Sequence, residues 1–185
     1  VYMIGNLSSK ILQMLILPII TASLITSEYG YYDLIVTTIS LVTPVVTLQI
    51  IEGMFRYMFN ASESDKQRTV STVTAFLICV IITLAGLIAI LHWVVPAVQY
   101  PFLIYINYVS SILFNFTQKL ARCQQKNKQF SISGVVNTIV MLAMQALTLI
   151  VFHMGVDGML IANAISYFVA SAYLASYLRI GQWIN

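Results

Sequence analysis

The sequence predicts an all-α integral membrane protein, six transmembrane helices in one bundle, and three observations predict it. Six apolar runs are each long enough for the roughly 20 helical residues that cross a hydrocarbon core of about 30 Å. Hydrophobic residues make up 59% of the chain and charged residues only 8%, with a mean hydropathy of +0.89, which leaves too little polar surface to cover a soluble globule. Eight of the nine Lys and Arg residues fall in alternate gaps between the runs: Arg56, Lys66 and Arg68 in the second, Lys119, Arg122, Lys126 and Lys128 in the fourth, and Arg179 after the sixth. Lys and Arg accumulate in cytoplasmic loops, so the even connectors and both termini are expected to face the cytoplasm.

The runs read as helices over about 1–25, 32–59, 69–92, 101–121, 130–152 and 158–178. Pro18 and Pro44 sit inside the first two, where each removes a backbone donor and predicts a bend. The third helix is the least polar and is expected to face lipid. Tyr29, Tyr31, Tyr32, Trp93 and Tyr100 mark one interface and Tyr57, Phe59, Tyr177 and Trp183 the other, where amphipathic rings settle. The outer connectors are short and carry Glu28, Asp33 and Asp157; the inner ones hold the polar clusters 62–68 and 124–129. With no soluble segment, linker or internal repeat, residues 1–185 read as a single lobe.

Polar side chains inside membrane helices face the bundle interior or water, so their angular placement indicates where a cavity would lie. In the fourth helix Asn107, Ser111, Asn115, Gln118 and Arg122 are spaced four, four, three and four residues apart, which aligns them on one face. A hydrated pathway and interhelical hydrogen bonding both fit such a stripe. Shorter stripes are Asn6, Lys10 and Gln13 in the first helix, Gln49, Glu52 and Arg56 in the second, and Ser133, Asn137 and Gln145 in the fifth. Lys10 lies sixteen residues from Thr26, about 24 Å along a helix, so it either snorkels to the inner interface or faces the cavity. Glu52 precedes Arg56 by four residues, the favourable order for a structural ion pair; the functional alternative gives a phosphate to the Arg56 guanidinium and positioning or cation exchange to Glu52.

Several function classes are excluded by what the chain lacks. The basic residues are accounted for by topology, with no stripe left for nucleic acid. Cys79 and Cys123 lie at different membrane levels without metal-ligand spacing, and His92 and His153 sit singly at outer helix ends, so no metal site is expected. The matches to the glycosylation triplet at Asn6, Asn60 and Asn115 fall in helices or a cytoplasmic connector. No phosphate-binding glycine loop and no nucleophile with a base on the same membrane face is present, so the chain is expected not to be an enzyme and to need no cofactor.

Segments in order along the chain carry a resemblance. Asn6-Leu7-Ser8-Ser9-Lys10 with Pro18, then Ser27-Glu28-Tyr29-Gly30-Tyr31-Tyr32-Asp33-Leu34, Glu52-Gly53-Met54-Phe55-Arg56-Tyr57, Ala121-Arg122, 128–134, and Gly155-Val156-Asp157-Gly158 with Asn163 resemble oligosaccharide flippases of the Wzx type. These form the polysaccharide-transporter branch of the multidrug/oligosaccharidyl-lipid/polysaccharide exporter superfamily. The resemblance implies movement of an undecaprenyl-diphosphate-linked oligosaccharide, an O-antigen or capsule repeat unit, across the bacterial cytoplasmic (inner) membrane. The implied mechanism is alternating access driven by a proton or sodium gradient. By position, Lys10, Arg56 and Arg122 become cationic contacts for the substrate and Glu52 a coupling or ion-pair partner. Such flippases resemble two six-helix lobes, so the chain is expected to be the N-terminal lobe of a longer protein, with membrane lipid, lipid-linked oligosaccharide and a second lobe as partners. A peptidoglycan-precursor flippase and a drug or cation antiporter share this architecture; the antiporter is disfavoured by the basic character of the buried charge. A non-transporting scaffold for polysaccharide assembly is the alternative of another class, and a membrane acyltransferase the enzymatic one.

Overall fold

The computed structural model describes residues 14, 18, 20–58, 61–94 and 99–178. Among them are six α-helices and a π-helical turn: α1 (Thr26–Val46), α2 (Ile50–Tyr57), α3 (Glu63–Val94), α4 (Pro101–Cys123), α5 (Asn127–Ala146) running into the π segment Leu147–Val151, and α6 (Val156–Tyr177). No strand is present among the described residues.

The expected second helix, 32–59, is two helices. The chain is already helical from Thr26, so the tyrosines assigned to a connector lie on α1, and α1 and α2 meet at a 57° bend. Pro44 lacks the N–H that would continue the ladder, and Gln49 N instead donates to the Pro44 carbonyl five residues back. Thr43 and Thr47 hydroxyls donate to the carbonyls of Ile39 and Thr43, a back-bonding pattern that favours bending. Leu48 and Gln49 then take left-handed backbone (φ 49° and 54°), which stores on the order of 1–3 kcal/mol per non-glycine residue.

The other helices begin and end where their termini find partners. α3 starts six residues earlier than the expected 69, because Ser62 Oγ accepts from Asp65 N at the helix entry. α4 begins with Pro101 in its first turn, where a missing N–H is harmless. It ends in a Schellman arrangement in which Lys126 N donates to the Ala121 carbonyl, Gln125 N donates to Arg122, and Gln125 holds the left-handed position. At the far end of α5, Phe152 N reaches the Leu147 carbonyl five residues back and Met154 N the Thr148 carbonyl, which widens the helix into a π turn.

α6 is the centre of the bundle and packs most extensively against α5 and α4. Gly158, Ala162, Ser166 and Ala170 recur at four-residue spacing on it and are all buried, a row of small residues that lets neighbouring backbones come close. Gly158 needs that closeness most, because a Cβ there would lie 2.8 Å from both the Thr148 and Met154 Cβ atoms. α6 runs parallel to α4: Asn107 donates to the Leu160 carbonyl at 3.0 Å, and seven residues on in each helix the Phe114 and Tyr167 rings meet at 5.4 Å.

Among the described residues three helices are long and apolar enough to cross a membrane: α3 over Ser64–Val94, α5 with its π turn, and α6. The bent pair α1–α2 makes a fourth if it counts as one span. α4 has the length but not the apolarity, because it carries the Asn107 to Arg122 polar series. The expected first helix, 1–25, lies mostly outside the described residues, so the sixfold crossing read from the sequence is reduced here to three or four candidate spans. α3 exposes Ile78, Ile82, Leu87, Ile90 and Trp93, the apolar outer face expected of the least polar helix. Exposed apolar surface of that extent is foreign to soluble monomers.

Candidate functional site

The connectors segregate to the two ends of the bundle. At one end α2, the start of α3, the end of α4, the start of α5 and the end of α6 come together, and all the described Lys and Arg residues lie there. Lys126 Nζ donates to the Tyr177 carbonyl across this end, tying α5 to α6.

The bend in front of α2 turns Glu52 and Phe55, one helical turn apart, toward Lys119 and Arg122, one turn apart on α4. Lys119 Nζ lies 2.5 Å from Glu52 Oε1. The Arg122 guanidinium stacks over the Phe55 ring at 4.8 Å and faces Phe130 at 5.5 Å, while Lys119 stands 5.7 Å from the Phe55 ring. Each cation–π contact is worth about 0.5–2 kcal/mol, depending on how far the cation is desolvated. The ion pair is half open to solvent on the Glu52 side, so its own contribution is about 1 kcal/mol or less. Chemically the cluster presents one neutralised cation, Lys119, beside a planar guanidinium held by two rings, a geometry suited to a phosphate or carboxylate.

This arrangement differs from the sequence reading in one pair. Among the described residues Glu52 bonds to Lys119 and not to Arg56, because the short α2 packs against α4 and carries Glu52 to that side. Arg56 is exposed in the last turn of α2, outside the ring cluster. Lys119 and Phe55 were missed as site residues. The signal for Phe55 was its place three residues after Glu52, and for Lys119 its place three before Arg122.

The polar stripe of α4 divides along its length. Asn107 is fully buried and its Nδ2 donates to Leu103 and, across the interface, to Leu160; Ser111 is buried beside it. Asn115 is exposed, with Nδ2 donating to the Ser111 carbonyl, and Gln118 is half-buried. On α5, Gln145 is buried with Nε2 3.4 Å from the Tyr32 hydroxyl of α1, and Asn137 is half-buried with an unpartnered Oδ1. Gln49 is exposed at the bend. Lys10, Asn6 and Gln13 lie outside the described residues. Asn107 and Gln145 therefore act as ties between helices. Replacing Asn107 with leucine is expected to destabilise the bundle by about 1–2 kcal/mol, read as a lower melting temperature in detergent; an unchanged temperature would deny it that role.

The opposite end is free of Lys and Arg among the described residues. The Tyr31 hydroxyl both donates to the Gln99 carbonyl and accepts from Gln99 N. The Asp157 carboxylate, followed by burial, raises the Tyr100 hydroxyl above its ordinary range. A cavity of 440 Å³ lies here between Glu28, Tyr31, Tyr100 and Asp157, beside another of 490 Å³ between Glu28, His153 and Met154. Two more lie elsewhere: an apolar groove of 370 Å³ among α3, α4 and α6, and a wedge of 470 Å³ between α2 and α3. None of these four is lined by the polar stripes. No group of three or more metal-ligating side chains occurs among the described residues, and Cys79 and Cys123 are both free thiols.

Comparison with protein-family models, with curated proteins and with solved structures finds no match for this chain.

Proposed function

We propose that this chain is one six-span lobe of a flippase that moves an anionic, diphosphate-linked lipid oligosaccharide across a bacterial cytoplasmic membrane, with both termini and the basic end facing the cytoplasm. The observation that carries the reading is the meeting of Lys119 and Arg122 with Phe55 and Glu52. A guanidinium set against the Phe55 and Phe130 rings pairs well with a phosphate, and Lys119 exchanges its partner when a stronger anion than the Glu52 carboxylate arrives. The ordered likeness of the sequence segments to Wzx-type flippases supports the same cargo. A second lobe, facing this one, completes the cavity wall and supplies the alternation of access.

The test is transbilayer movement of a fluorescent lipid-linked oligosaccharide in proteoliposomes, measured with and without the second lobe. Arg122→Ala is expected to slow flipping at least tenfold while leaving insertion intact, with a melting temperature lowered only by the loss of its two cation–π contacts. Parental flipping by that variant would remove Arg122 from the site. The binding of Asn107 and Gln145 into helix–helix ties favours a second reading, a non-transporting scaffold, which requires that no lipid is flipped by any form of the protein.

A further inference from the structure

The 57° bend leaves a wedge between α2 and the first turns of α3 that no part of the mechanism above uses. Its floor is apolar, formed by Ile50, Met54 and Val73, and its mouth holds Tyr57, Asp65 and Arg68. The volume, 470 Å³, falls in the ~300–1,000 Å³ range of small-molecule pockets. Gly53 lies in the wall, and a Cβ added there would meet nothing within 4 Å.

We propose that this wedge holds one anionic glycerophospholipid, its phosphate on Arg68 and the start of an acyl chain against Ile50, Met54 and Val73. The argument is charge and polarity together. The Arg68 guanidinium is exposed and makes no ion pair or hydrogen bond among the described residues. Thr69 and Thr72 have spent their hydroxyl protons on the carbonyls of Asp65 and Arg68, so Arg68 and the Tyr57 hydroxyl are the donors that face the opening. Asp65 lines the same mouth and keeps its negative charge, with one carboxylate oxygen accepting from Ser62 at 2.6 Å at the helix entry, so the phosphate is drawn to Arg68 and the Tyr57 hydroxyl and away from the Asp65 edge. A cation above an apolar floor at the basic end of a membrane bundle matches a headgroup of the anionic cytoplasmic leaflet. A zwitterionic lipid carries no net charge for the basic end of the bundle to attract and matches less well. Seated there, the lipid fills the space under the strained Leu48–Gln49 bend and braces α2 in its bent position. The inference holds whatever cargo the protein moves.

The test is titration of the full chain in detergent with phosphatidylglycerol, phosphatidylcholine and a polyprenyl diphosphate, with bound lipid counted by native mass spectrometry. Phosphatidylglycerol is expected to bind at least tenfold more tightly than phosphatidylcholine, and to weaken tenfold or more in Arg68→Glu and in Gly53→Leu, whose added side chain starts from open space in the wedge wall. Lys128→Ala, an exposed cation away from the wedge, is expected to bind as the parent does. Parental phosphatidylglycerol binding in both Arg68→Glu and Gly53→Leu would overturn the proposal. So would variants that lose the polyprenyl diphosphate and keep phosphatidylglycerol, since the wedge would then belong to the cargo.

Discussion

Replacing Gly158 with valine is expected to abolish accumulation of folded protein. The position lies in the first turn of α6, where that helix crosses the π turn at the end of α5. A Cβ there would sit 2.8 Å from the Thr148 and Met154 Cβ atoms. Neither of those atoms is the tip of a flexible side chain, so relief requires moving backbone where α6 meets the π turn and the connector after it. Overpacking of this kind costs about 1–3 kcal/mol where neighbours give way, and more here because a branched side chain adds two methyl groups. Alanine is the milder probe and should lower the melting temperature while still allowing folding. Gly86→Ala serves as the contrast: nothing lies within 4 Å of its added Cβ, and helix propensity favours alanine over glycine by about 1 kcal/mol. Fluorescence-detected gel filtration after heating separates the three. A monodisperse Gly158→Val protein with the parental melting temperature would show that α6 does not pack against the π turn as described.

Reversing Lys119 to glutamate should free α2 from α4. The substitution removes the 2.5 Å contact with Glu52 and the cation near Phe55, and sets two carboxylates against each other. Loss of attraction plus a repulsion of similar size amounts to about 1–2 kcal/mol, a shift of roughly five- to thirty-fold between bent and released α2. Because Leu48 and Gln49 hold left-handed backbone at the bend, release of α2 also relieves strain, and both effects act in the same direction. Electron–electron distance measurements between spin labels on Tyr57 and Gln125 would report a longer and broader separation. The exchange Glu52→Lys with Lys119→Glu restores the opposite charges and is expected to recover the parental distance. A single reversal that leaves the distance unchanged would mean that apolar packing of Ile51, Met54 and Met58 alone holds α2 in place.

Much of the architecture was legible in the residues because membrane helices obey strong local rules. Apolar length marked α3, α5 and α6, and the alternation of basic connectors marked which ends belong together. The bend was legible in part: Pro44 announced it, but not that the chain would take two left-handed residues at Leu48 and Gln49 and resume as a separate helix. The Gly158, Ala162, Ser166, Ala170 row stood in the sequence at regular spacing, yet its meaning depended on which helix would become the centre. The stripe from Asn107 to Arg122 was read as one face with one fate. Packing bonded Asn107 to Leu160 of α6 and buried Ser111, left Asn115 exposed, and placed Arg122 among the rings of the basic end.

The sequence by itself determined an all-helical chain with apolar spans and a basic end, since hydrophobic length and charge segregation are properties of consecutive residues. Only the tertiary structure decided that Glu52 takes Lys119 rather than Arg56, that Phe55 lies between two cations, and that Asn107 serves Leu160. Each of those outcomes joins residues more than fifty positions apart. Their meeting depends on the bend angle before α2 and on the close seating of α6, and no local pattern encodes either.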